Sequence, residues 1–139
     1  MSVEEKSSWI YAVVALVVPA VYTAVLFARA DGGELTEVAY VGPMLTAIVG
    51  AMLANMVIHI VATVVGPREP RLKDERDRYI DRFGNSVGFF VMSVGALVPL
   101  GLAMAEADHF WIANALYCCF YVTAVASAVA KIVGYRRGL

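Results

Sequence analysis

Asn55 and His59 stand one helical turn apart inside a long apolar run, and they are the first candidates for chemistry in this chain. Thr63 continues their line, and Ile48 and Met52 precede it. An amide can donate and accept a hydrogen bond, and an imidazole can do both, carry a proton or ligate a metal. A polar side chain in hydrocarbon costs free energy unless it is bonded, so this pair is expected to face protein or a cavity. Three readings follow: an interhelical hydrogen bond worth about 0.6 kcal/mol on average, a solute or ion site, or a metal or haem ligand. The other histidine, His109, begins a different helix at the opposite end, so one subunit cannot bring both to one iron. No H-x-x-x-H, C-x-x-C or carboxylate cluster accompanies them. No metal and no cofactor is therefore expected.

Cys118 and Cys119 are adjacent near the middle of the last apolar run. On a helix they point about 100° apart, and they cannot close an ordinary disulfide. They lie too deep for juxtamembrane palmitoylation, so packing of small side chains is the expected role. Asn114 and Thr123 share that helix and are expected to bond across to the second one. No catalytic nucleophile, acid–base pair or metal set is evident, which weighs against an enzyme.

The remaining chemistry is charge. In "PRLKDERDRYIDRFG", Pro70 to Gly84, nine residues from Arg71 to Arg82 are charged. Asp74 and Arg78 form an i,i+4 pair, and Glu75–Arg78 and Arg78–Asp81 are i,i+3 pairs. Exposed pairs of this kind contribute about 0.3–0.5 kcal/mol each. Leu72, Arg76, Tyr79, Ile80 and Phe83 recur at helical spacing. Pro67 and Pro70 stop any earlier helix. The spacing predicts a third helix that begins near Asp74 and projects beyond the membrane for about two or three turns. Its Lys73, Asp74, Glu75, Arg76, Arg78, Tyr79 and Ile80 are the candidate contact residues, for a second subunit or a cytoplasmic protein partner. No Gly-rich phosphate cradle accompanies the charges. The net charge of −1 gives no pull toward nucleic acid.

The elements that must position these residues are long and apolar. Of 139 residues, 60% are hydrophobic and 17% charged, and mean hydropathy is +0.71. Four runs reach the ~20 residues needed to cross a bilayer: Trp9–Ala28, Ala39–Gly66, Phe83–Ala105 and Phe110–Tyr135, with a charged connector over 67–82. Backbone groups in lipid must be satisfied internally, so each run reads as a helix. The expected fold is all-α: one integral membrane four-helix bundle over 1–139, in contact with membrane lipids. The leader "MSVEEKSS" is too acidic, and the first run too long, for a secretion signal. Ten of the eleven Lys and Arg residues fall on one side if both termini are inside, with Arg29 alone outside. The positive-inside rule then predicts a multi-pass protein of the cell membrane with both termini cytoplasmic.

The segment "LKDERDRYIDRFGNSVGFFV", with the later "DHFWIANAL" and a basic C-terminus, resembles a family of small multi-pass membrane proteins of bacteria and archaea. That family has a K-D-E-R type motif between spans and no known function. The resemblance covers Arg71 to Gly138 and implies a helical membrane fold, with Lys73, Asp74, Glu75, Arg76 and Ile80 as motif positions. It implies no activity.

Small residues at four-residue spacing mark close helix contacts: Gly84 and Gly88, Gly50 and Ala54, Ala47 and Ala51, Ala124 and Ala128. So many competing faces on one small chain point to a homo-oligomer. Pro19 and Pro99 predict kinks. "IVATVVGPR" and "AVAKIVGYR", and "ALVVPA" and "ALVPLG", hint at two similar helical hairpins. Two functions fit: a non-enzymatic membrane protein acting through association, with the charged connector as contact surface, or a small uncoupled permeation protein with a polar path along Asn55, His59, Thr63 and Asn114.

Overall fold

The computed structural model describes residues 3–65 and 75–137, with the side chains of residues 3–7, His59, Ala62, Thr63 and Val65 outside that description. Leu72, Lys73, Asp74 and the two prolines of the connector also lie outside it. The described chain is helical: α1 (Val3–Ala30), α2 (Val41–Val65), α3 (Glu75–Gly95), α4 (Leu97–Met104) and α5 (His109–Arg137), with a 3-10 turn at Leu35–Glu37. Among the described residues four stretches are long and apolar enough to cross a membrane: Ser8–Ala30, Val41–Ile58, Glu75–Met104 and His109–Arg137.

Local chemistry sets the ends. α1 stops where Asp31 and Gly32 take positive φ, at 42° and 79°, and the Gly33 N–H donates to the Ala30 carbonyl at 2.6 Å. α5 begins at a cap: the Asp108 carboxylate accepts the Phe110 N–H at 2.8 Å, satisfying a donor that the first turn leaves free. α1 runs through Pro19 without a break in the helix, whereas the third span divides at Ala96 into α3 and α4. Pro99 explains the division. It has no N–H to give the carbonyl four residues earlier, and its ring crowds that carbonyl. The residue concerned is Gly95, where α3 ends.

α5 is the centre of the molecule. It packs closely on α3 and also touches α1 and α4, while α2 packs chiefly on α1. The two hairpins therefore pack differently, α3 against α5 closely and α1 against α2 more loosely. The closeness of α3 and α5 comes from the stripe Ile80, Gly84 and Gly88, all buried. A Cβ at Gly84 would overlap the stem of Lys131 and sit 3.1 Å from the Ser127 carbonyl, and one at Gly88 would lie 3.2 Å from the Ser127 Cβ. Gly84 and Gly88 thus serve a contact inside the chain.

One end of the molecule collects the basic groups. Lys131 lies across Gly84 and its Nζ reaches the Asp81 carboxylate at 3.3 Å. Arg76 donates to the Tyr135 carbonyl at 3.4 Å, near the open C-terminus of α5. The Arg136 guanidinium stands 5.5 Å from the centre of the Trp9 ring. The start of α1, the start of α3 and the end of α5 are therefore neighbours. At the opposite end Tyr22, Leu26 and Phe110 form a buried cluster, joined by Leu35, Val38, Tyr40 and Met44.

Candidate functional site

α2 sits at the edge of the layer of helices, and it decides where open space lies. None of its Val41–Ile58 stretch is buried. Because α2 leans on α1 and stands away from α5, a cleft of 410 Å³ opens between α2 and α5 with α1 as its floor. Its walls are mostly apolar, with Ala15, Ala47, Ala51 and Ala124 set among larger side chains such as Val14, Ile48, Met52 and Phe120. Four side chains with a polar group also line it: Tyr11, Asn55, Tyr117 and Tyr121.

Asn55 is half-buried. Its Nδ2 donates to the Ala51 carbonyl of its own helix at 3.0 Å, a bond within the helix where one between helices was expected. That bond uses one N–H and leaves the amide oxygen without a partner among the described residues. The hydroxyls of Tyr11 and Tyr121 likewise have none. His59 follows one turn further along α2, and its side chain and that of Thr63 lie outside the description.

Asn114 does not join this group. Its Oδ1 accepts the Tyr22 hydroxyl proton at 2.7 Å, and its Nδ2 donates to the Phe110 carbonyl at 2.8 Å. The expected bond from Asn114 to α2 is replaced by one to α1. Tyr22 is the residue that sequence reasoning missed: it is 4% exposed, and its ring stands edge-on to Tyr117 at 4.9 Å. Its position in the first apolar run carried no mark that set it apart from other tyrosines. Asn55 and Asn114 consequently line different clefts, which share Pro19, Tyr117 and Tyr121.

The rest of the sequence-selected residues divide by location. Ile80 is completely buried, with its Cγ2 against the backbone of Gly134. It belongs to the α3–α5 core and is not a surface for a partner. Glu75, Arg76, Arg78 and Tyr79 are exposed, Tyr79 by 57%. Cys118 is exposed, whereas Cys119 turns inward and its thiol donates to the Gly95 carbonyl at 3.0 Å. That carbonyl is the one Pro99 leaves without a helical donor. Thr123 reaches the Met92 sulfur at 3.6 Å, on α3 and not α2. Among the described residues no three His, Cys, Asp or Glu side chains are placed to hold a metal ion.

No protein-family model matches the chain, and neither a curated protein nor a solved structure matches it.

Proposed function

We propose that the chain is an integral membrane protein, both termini cytoplasmic, that acts by association within the bilayer, with a second copy docking into the α1–α2–α5 cleft. The carrying observation is the placement of α2: an edge helix, unburied over Val41–Ile58, that forms one wall of an apolar cleft with alanines on all three of its helices. Two of its large side chains are exposed: Met52 at 67%, which lines the cleft, and Met56 at 60%, one turn further along. α2 thus presents exposed large side chains together with a cleft that carries alanines of α1, α2 and α5, a combination that a second copy can match. A two-fold contact uses both at once.

Asn55 supports the same reading. An amide oxygen in hydrocarbon with no donor costs free energy. Across a two-fold axis near α2, its oxygen and its second N–H can pair reciprocally. Apolar packing in a bilayer gains little over lipid, so such a polar pair and close backbone approach are what hold spans together. The charged start of α3 has a smaller part in this than its sequence promised, because Ile80 is committed inside the chain. Tyr79, Glu75 and Arg78 remain on the surface for a cytoplasmic partner.

The test is subunit mass in lipid nanodiscs, for the native chain, Asn55→Leu and Ala51→Phe. The expected result is a dimer that both substitutions convert to monomer while helix content stays unchanged. A native chain that is monomeric at every lipid-to-protein ratio, or variants that keep the dimer, would overturn the proposal.

A further inference from the structure

A second groove, of 640 Å³, runs between α1 and α2, and its glycines meet no neighbour inside the chain. Gly42, Thr46 and Gly50 form one wall and Val17, Val21 and Val25 the other. A Cβ at Gly42 or Gly50 would meet nothing within 4 Å, in contrast to Gly84, Gly88 and Gly134, where a neighbour presses on the position. Glycine in a helix is less favourable than alanine by roughly 1 kcal/mol, so internal packing does not account for Gly50 in mid-helix. The Thr46 hydroxyl is turned back to the Pro43 carbonyl at 2.9 Å, which satisfies it within its own helix. The groove is apolar along its length.

Its end is not apolar. Arg29, in the last turn of α1, lines the groove. Its guanidinium makes one hydrogen bond, to the Ala39 carbonyl at 3.3 Å. Asp31, Glu34 and Glu37 follow closely in sequence, yet none of them forms an ion pair with Arg29. A cation with most of its donors free thus stands at the mouth of an apolar channel. From Arg29 to Val17 the helix rises about 18 Å, close to the ~15 Å depth of one leaflet of hydrocarbon.

We propose that this groove holds one acyl chain of an anionic phospholipid, with the lipid phosphate on Arg29. Charge selects a lipid over a protein helix as the occupant. A helix laid here would have to bring a carboxylate to the depth of Arg29, whereas a phospholipid places a phosphate at that depth by construction. A guanidinium fork matches phosphate oxygens. The assignment does not rest on the dimer proposed above: the groove shares only Val18 and Ala47 with that cleft, and Arg29 lines the groove and not the cleft.

Native mass spectrometry tests it, on the full chain in detergent titrated with phosphatidylglycerol or with phosphatidylcholine of identical acyl chains. The expected result is one retained phosphatidylglycerol per protomer, bound in preference to phosphatidylcholine. Arg29→Gln should lower phosphatidylglycerol affinity about fivefold, the factor one basic residue gives near a membrane surface, and bring the two lipids level. Gly50→Leu should expel both, and the open space at Gly50 means this variant keeps its fold, which circular dichroism verifies. Equal binding of the two lipids by the native chain overturns the proposal, as does unchanged selectivity in Arg29→Gln. If Gly50→Leu alters oligomer mass and leaves lipid retention intact, the groove is a protein interface and the lipid assignment fails.

Discussion

Cys119, Gly95 and Pro99 form a unit whose energetics can be separated by mutation. Pro99 withholds a donor from the Gly95 carbonyl, and the Cys119 thiol supplies one from α5 at 3.0 Å. Cys119→Ala removes two things: the packing of a sulfur atom against Gly95, and the hydrogen bond. Only the second depends on residue 99. Pro99→Ala restores an N–H that can reach the Gly95 carbonyl along the helix, so in that background the thiol is no longer needed as donor. The packing loss is common to both backgrounds and cancels in a double-mutant cycle. Hydrogen bonds between membrane helices average about 0.6 kcal/mol, and a thiol is a weak donor. The expected coupling is therefore about 0.6 kcal/mol, or about a threefold change in the folding constant. The assay is equilibrium unfolding of the four variants in mixed micelles. Cys118→Ala is the control and should change stability by less than about 0.5 kcal/mol, because Cys118 is exposed. An equal cost for Cys119→Ala in both backgrounds would refute the reasoning.

Two further outcomes are expected. Tyr22→Phe leaves the Asn114 oxygen unpaired between α1 and α5 and should lower stability by about 0.6–1.7 kcal/mol; adding Asn114→Leu should recover part of it, and thermal unfolding in detergent that registers no loss for Tyr22→Phe shows the bond to be idle. For orientation, a lone cysteine introduced as Glu75→Cys in a Cys118→Ala, Cys119→Ala background should react with a membrane-impermeant thiol reagent only after cells are opened, and labelling of intact cells contradicts the proposed placement of the termini.

Sequence alone determined what each segment is. Runs of about twenty apolar residues with no charge leave the backbone only one way to satisfy itself in lipid, so four helices of membrane length are legible in the sequence. The charged segment after Asp74 was equally legible as helix, since its apolar residues recur at helical spacing, and α3 does include Glu75–Arg82. Pro19 and Pro99 both predicted kinks; the third span divides at Ala96, whereas α1 stays one helix through Pro19.

What each helix touches was decided only in three dimensions. Gly84 and Gly50 look alike in sequence, each with a small residue four positions on, yet one is pressed by Lys131 and the other opens on empty space. Asn114 chose Tyr22 over α2, and Ile80 turned inward beside Gly134 while its neighbour Tyr79 stayed out. The physical reason is that lipid and protein interior are equally apolar. A spanning helix therefore carries no polar stripe to mark its outer face, and hydrophobic periodicity cannot say how it is rotated. That rotation is fixed by backbone approach at a few small residues and by a handful of polar pairs, whose partners lie on other helices and are named only by the tertiary fold.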